Sequence, residues 1–138
     1  MTRRALVIAS LAAIGRADSA DEVWDLIGAM ASALSEANAS EFMHPFDSSM
    51  PGYQHVHDAV TAITRDYTIE VAVDQVSNDG NDSARTLETD WRLGFALGGD
   101  AASLVRRSER VKFKLEKKGK RWRIVSLDPV SAFDPPKS

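Results

Sequence analysis

The first half of the chain, up to residue 66, places its apolar side chains three or four positions apart, which predicts α-helices. The first helix is predicted over residues 20–37. Its buried face is formed by apolar residues at helical spacing: Val23, Trp24, Leu26, Ile27, Met30 and Leu34. The sequence SADE at its start has the form of a capping box, in which the Ser19 hydroxyl and the Glu22 carboxylate each accept from the other residue's backbone amide.

Two shorter helices are predicted to follow. Asn38 or Ser40 caps the second one, which ends before Pro45 because a residue that precedes proline is disfavoured in helical conformation. The third helix begins near Pro51, since proline is tolerated in a first turn, and runs to about Arg65. The intervening DSSMPG is predicted to be a loop.

From Tyr67 onward the apolar positions alternate with polar ones, and this period of 2 predicts β-strands. Strands are predicted over 67–74, 86–97, 110–116 and 121–127, joined by turns at SNDGND, GGDAAS and KKGK. The acids Glu88 and Asp90 of the second strand are expected to form ion pairs with basic residues of the neighbouring strand on the outward face. Helices followed by an antiparallel meander predict a single α+β domain.

Several stretches resemble a known superfamily: FDSSMPGY, ARTLETDW, KLEKKGKRWRIVSLDPV and the closing FDPP. Over roughly residues 19–134 the chain is similar to the nuclear-transport-factor-2-like superfamily, close to its uncharacterised exported bacterial members. The resemblance implies a cystatin-like cone, in which three N-terminal helices pack in the concave face of a curved antiparallel sheet of about four strands. It implies a pocket and not a reaction, since the superfamily includes isomerases, cyclases, dehydratases, accessory domains and transport factors.

The N-terminus has the outline of a secretory signal. A basic start, MTRR, precedes the apolar run ALVIASLAAIG, and the small residues of RADSA allow cleavage after Ser19. Residues 1–19 are therefore predicted to be a signal peptide, residues 20–134 the domain and residues 135–138 a flexible tail. The mature protein would then be exported, either periplasmic or secreted. The alternative is a cytoplasmic protein in which this segment extends the first helix.

Composition narrows the function mainly by exclusion. The 138 residues carry a net charge of −3 and include no cysteine, which excludes disulfides, thiolate metal sites and cysteine nucleophiles. Basic residues gather between positions 106 and 123, but no aromatic side chains interleave with them on the outward face, so no nucleic-acid partner is predicted. No apolar run reaches the roughly 18 residues of a membrane span.

All three histidines lie between residues 41 and 57, which raises the hypothesis of a metal or acid–base site. His55 and His57 are two positions apart and would project about 200° from each other on a helix, so they cannot share a metal. His44 is predicted to end a helix, and neither a metal nor a cofactor is predicted. Tyr53 lies one turn before His57 on the same flank, so this pair is a candidate polar contact for a ligand.

Charged residues also fall on inward positions of the last two strands. Arg107 and Glu109 share the inward parity of the third strand, unless that strand begins after them. Asp128 would face inward together with Ile124, unless Leu127 takes the inward face. Charge on an otherwise apolar face is costly when it is neither paired nor used, so these residues are functional candidates.

The predicted pocket is mostly apolar, with polar groups at its mouth. Its candidate residues are Trp24, Phe46, Tyr53, His57, Trp91, Phe95, Arg107, Glu109 and Asp128. The first hypothesis is a small-molecule-binding or accessory domain without catalysis, whose partner is a small apolar or amphipathic ligand. The alternative is an isomerase, cyclase or dehydratase in which Asp128, Glu109 or His57 acts as general base and Tyr53 as hydrogen-bond donor.

A second alternative is a protein-interaction module, for example a homodimer formed through the outer face of the sheet. Many superfamily members pair in this way, and the resemblance carries that expectation. The dense charge predicted for this face counts against a large apolar interface.

Overall fold

The structure is a computed structural model and describes residues 18–137. It contains helices α1 (Ser19–Ser35), α2 (Ala39–Met43) and α3 (Tyr53–Asp66), then strands β1 (Tyr67–Gly80), β2 (Ala84–Leu97), β3 (Val105–Lys118) and β4 (Arg121–Asp128). The strands form one antiparallel sheet in the order β1-β2-β3-β4. This confirms the predicted α+β class with three helices and four strands. The predicted signal peptide falls almost entirely outside the described residues and stays a prediction.

The start of α1 differs from the prediction by one residue. Asp18, and not Ser19, is the N-cap, because its carboxylate accepts from a first-turn backbone amide at 3.0 Å. Ser19 is buried, and its hydroxyl accepts a hydrogen bond from Arg85 of β2 at 3.2 Å. The predicted capping contact of Glu22 is also wrong, since its carboxylate accepts from the Trp122 indole of β4 at 2.9 Å. These two hydrogen bonds connect the first turn of α1 to β2 and to β4.

The other two helices begin close to the predicted positions. Asn38 caps α2 by accepting from a backbone amide at 3.1 Å, and α2 ends ahead of Pro45. Gly52 precedes α3 with a φ of +81°, a left-handed conformation that favours glycine. A side chain at Gly52 would also collide with Val130, so the turn before α3 packs directly against the residues that follow β4.

One apolar core joins the helices to the inner face of the sheet. Alternate positions of β2 and β3 are buried in it: Leu87, Thr89, Trp91, Leu93, Phe95, Val111, Phe113 and Leu115. The chain after β4 contributes as well, since Ala132 and Phe133 are 0% exposed. The sequence did not predict core residues there. Within residues 18–137, no helix has both the length and the apolar character needed to cross a bilayer.

The inward and outward faces of β4 exchange at Val125. The register between β3 and β4 shifts there, so Val125 has no partner and forms a β-bulge. Leu127 consequently turns into the core and is 4% exposed. Asp128 pairs instead with Lys112 on the outer face and is exposed, so its predicted inward position is wrong.

Candidate functional site

The aromatic residues predicted to line a pocket lie in the core. Phe46, Trp91 and Phe95 are at most 2% exposed, and Trp24 is partly buried against the same cluster. The Trp91 indole donates to the buried Thr89 hydroxyl at 2.9 Å, so even its polar atom has a partner inside the protein. Three fully covered rings offer no free surface to a ligand in this conformation.

Phe133 completes this aromatic cluster from a segment outside the helices and strands. It belongs to the C-terminal segment, residues 129–134, which forms turns after β4. Its ring meets Phe42 of α2 and Trp91 of β2 edge-on, with centroid distances of 5.1 Å in both pairs. Such pairs contribute about 0.5–1.5 kcal/mol each beyond the burial of area. A side chain of the protein itself therefore occupies the space where the sequence predicted an apolar pocket.

Arg107 lies where the C-terminal segment crosses β3. Its Nη2 donates to the backbone carbonyl oxygens of Ala132 at 3.0 Å and Asp134 at 2.7 Å. The guanidinium carbon is 4.9 Å from the Phe95 ring centroid, a cation–π distance. Its Nε is buried without a hydrogen-bond partner among residues 18–137, and the Glu109 carboxylate is 3.6 Å away. Because β3 begins ahead of both charged residues and both are half-buried, their predicted inward orientation is confirmed.

The three histidines have separate surroundings. His55 contacts the Asp134 carboxylate through Nε2 at 2.7 Å and so holds the C-terminal segment to α3. His57 stacks on Tyr53, with ring centroids 6.1 Å apart, while His44 is exposed at the end of α2. No three metal-ligating side chains come together within the described part of the chain. The predicted contact of Tyr53 with His57 is confirmed, and its role in ligand binding stays a prediction.

A second concave feature lies outside the aromatic core, between α1, α2 and β4. This lateral groove has a volume of about 330 Å³ and a mostly apolar lining that includes Leu26, Ala29, Met30, Pro45 and Trp122. At its rim Arg123 donates to the carbonyl oxygens of His44 and Phe46, at 2.8 Å each, which fixes the end of α2 to the edge strand. Sequence reasoning missed the groove because three separate elements supply its walls.

The outer face of the sheet carries cross-strand ion pairs, as predicted. Arg110 of β3 binds the Asp90 carboxylate of β2, and Arg92 binds Asp74 of β1 at 2.5 Å. The hydrogen bond from Arg110 holds the pKa of Asp90 below its ordinary value. Exposed pairs of this kind contribute at most about 1 kcal/mol each. Pairing of two copies through this face stays a prediction of the sequence.

No protein-family model matches the chain, and no curated protein matches it. Its fold does match solved structures, including a conserved protein from Planctomyces limnophilus DSM 3776 (TM-score 0.68, 11% identity, 78% of this chain and 93% of that one). An NTF-2-like protein of unknown function from Shewanella oneidensis MR-1 gives a TM-score of 0.63 at 12% identity, over 78% of this chain and 94% of that one. A nuclear transport factor 2-like superfamily protein from Salmonella enterica serovar Typhimurium LT2 gives 0.61 at 13%, over 78% and 87%. At these identities the likeness concerns the fold alone.

Proposed function

We propose, starting from the nuclear-transport-factor-2-like fold of this chain, that it is a small-molecule-binding or accessory domain without catalysis of its own. In this proposal the helices and the C-terminal segment close the concave face of the sheet into a cone, and the ligand binds inside it near Arg107. The observation that carries the proposal is the position of Arg107, a guanidinium on a mostly apolar inner face.

Small-molecule sites are mostly apolar and contain a few placed polar groups. The inner face has this composition, with buried aromatic rings and, at one end, Arg107 and Glu109. Keeping a half-buried charge in such a place costs free energy unless it is paired or used. The Arg107 side chain is 23% exposed, and its only close carboxylate among residues 18–137 is Glu109 at 3.6 Å, beyond hydrogen-bonding distance.

The described residues favour binding over catalysis. Among residues 18–137 the polar residues that are buried as a whole are Ser19 and Thr89, neither of which is an acid or a base. A general base in an isomerase or dehydratase is usually enclosed in the pocket beside the substrate. Glu109 and His57 are partly exposed and Asp128 lies on the outer face, so none of the three is enclosed as a whole side chain.

Ligand entry requires the C-terminal segment to move, because Phe133 fills the aromatic cluster. Removing a buried phenylalanine from a core costs about 3–5 kcal/mol. Opening also breaks the contacts of the segment with Arg107 and His55, so the open state is populated in at most roughly one molecule per 10²–10⁴. A ligand that places its own apolar group in the vacated position recovers most of this free energy.

The test uses the full-length chain. Native mass spectrometry of the gently purified protein is expected to reveal a bound small molecule, and calorimetry with a compound panel is expected to yield a ligand. Arg107→Gln should weaken binding, whereas Arg92→Gln should not, since Arg92 is an exposed arginine of the outer face. If no molecule co-purifies and no compound binds more tightly than roughly 1 mM, the proposed function is wrong.

A second candidate function, protein interaction, is favoured by the lateral groove. β4 is an edge strand, and the loop before α3 pairs with it only at Ile124, through an isolated bridge with Phe46. An extended peptide with apolar side chains could add to this edge and fill the groove. Peptides selected on the wild-type protein should lose affinity for Ala29→Arg, which blocks the groove, and keep it for Asp25→Arg. Equal binding by both variants would contradict this function.

We also propose that residues 1–17 direct export, with cleavage after Ala17 and not after Ser19. Gly15 and Ala17 are small enough for the −3 and −1 positions. A cut at this point leaves both Asp18, the N-cap of α1, and Ser19, which binds Arg85. The mass of the mature protein recovered from the exporting cell should place Asp18 at the N-terminus. A full-length mass, or a start at Ala20, would contradict the proposal.

A further inference from the structure

We propose that the ligand is an aromatic carboxylate, and that the C-terminal segment occupies its site in the unliganded protein. This inference rests on the proposed binding function and specifies the chemistry of the ligand. It follows from what the segment places in the cone: one aromatic ring and two oxygen atoms that face a guanidinium.

The ring position is defined by Phe133. Its ring is fully buried and lies edge-on to Phe42 and Trp91, each at a centroid distance of 5.1 Å. Edge-to-face geometry favours an aromatic occupant over an aliphatic one of the same size, because the positive ring edge meets the negative ring face. When the C-terminal segment moves out, the vacated space retains this preference.

The oxygen positions are defined by Arg107. The carbonyl oxygens of Ala132 and Asp134, which flank Phe133 in the chain, both accept from its Nη2. Its Nε is buried and has no hydrogen-bond partner among residues 18–137. A carboxylate binds side-on across the Nε and Nη2 of a guanidinium, so an acid would replace both carbonyl oxygens and also satisfy Nε.

The charge balance also favours an anion once the segment has moved. Asp134 leaves with the segment, which frees His55 from its carboxylate contact. The charged or titratable side chains that contacted the segment or its arginine and now remain are Arg107, Glu109 and His55. One acid has then gone and the guanidinium has lost its two carbonyl acceptors, so an incoming carboxylate meets a cation that lies next to an aromatic cavity and retains Glu109, at 3.6 Å, as its only close acid among residues 18–137.

The test compares 3-phenylpropionate with its neutral isostere, 3-phenylpropionamide, by calorimetry. In Phe133→Ala, where no ring has to be displaced, the acid is expected to bind at least about tenfold more tightly than the amide. The double variant with Arg107→Gln should lose this preference. Phe113→Ala is the matched control, because Phe113 is equally buried beside Trp91, whereas the Arg107 guanidinium lies over the Phe95 ring. Its cavity should accept both compounds within roughly threefold of each other.

The outcomes separate the ligand class from the proposed function. If Phe133→Ala binds the acid and the amide equally, or if the preference for the acid survives Arg107→Gln, the ligand is not an aromatic carboxylate. The proposed binding function then still stands. A co-purifying molecule of another class leads to the same conclusion. If no molecule co-purifies and no probe binds, both the ligand class and the proposed binding function are wrong. If circular dichroism shows that Phe133→Ala does not fold, the wild type and Arg107→Gln are compared at millimolar probe, and the same acid preference is expected in the wild type alone.

Discussion

Replacing Phe133 by alanine is expected to lower the free energy of unfolding by about 3–5 kcal/mol. The magnitude follows from the burial of the whole ring, which is 0% exposed and contacts both Phe42 and Trp91. For a domain of this size the loss corresponds to a fall of roughly 10–20 °C in Tm. A residue five positions before Ser138 would then contribute as much as a residue in the middle of the sheet.

Urea denaturation at neutral pH, followed by tryptophan fluorescence and far-UV circular dichroism, measures this loss. Trp91 reports directly on the site because it contacts the Phe133 ring. Phe113→Ala sets the scale, since Phe113 is equally buried in β3, and the two variants should lose similar free energies. Lys137→Ala, at an exposed position beyond the segment, should stay within about 0.5 kcal/mol of the wild type.

A loss below about 1 kcal/mol in Phe133→Ala, with an unchanged denaturant slope, would refute this reasoning. It would mean that the C-terminal segment is not packed against the sheet in solution. The cone would then be open without a ligand, and Arg107 would lack the carbonyl contacts on which its assigned role depends.

Further predictions concern the cap of α1, acid stability and the outer face. Asp18→Ala should cost about 1 kcal/mol in urea denaturation, more than the exposed control Asp25→Ala, and equal losses would contradict the cap. The hydrogen bond from Lys118 holds the pKa of Asp47 well below its ordinary value, so this carboxylate contributes stability above about pH 4 that disappears as the pH falls further. Asp47→Asn should therefore flatten the acid side of the stability–pH curve, and an unchanged curve would argue against the contact. Arg92→Gln should cost less than about 1 kcal/mol, and less again at high salt, so a loss of 2 kcal/mol would contradict an exposed ion pair.

Local periodicity in the sequence determined the secondary structure and much of the side-chain orientation. A period of 3.6 before Tyr67 and of 2 after it is a property of neighbouring residues, and so are the proline and glycine positions that end the elements. The same alternation placed Arg107 and Glu109 on the inner face, where the structure has them. It also placed the outer-face acids opposite basic residues.

Two features depend on a shift of a single residue along the chain, and local sequence pattern could not predict them. Asp18 and Ser19 are adjacent and both suitable as caps, so only the contact of Ser19 with Arg85 distinguishes them. In β4 a bulge at Val125 exchanges the two faces, which moves Asp128 outward. Apolar residues occupy both parities of that strand, so the sequence pattern alone does not locate the bulge.

The closure of the candidate site was decided by tertiary structure alone. Phe133 meets Phe42 and Trp91, which lie far from it along the chain, and nothing in the turn-rich sequence after β4 marks its ring as a core residue. The sequence determined that an aromatic inner face with Arg107 exists. Only the path of the chain through space decided that its own C-terminal segment covers that face, because such contacts depend on loop closure across the whole fold and not on the period of neighbouring residues.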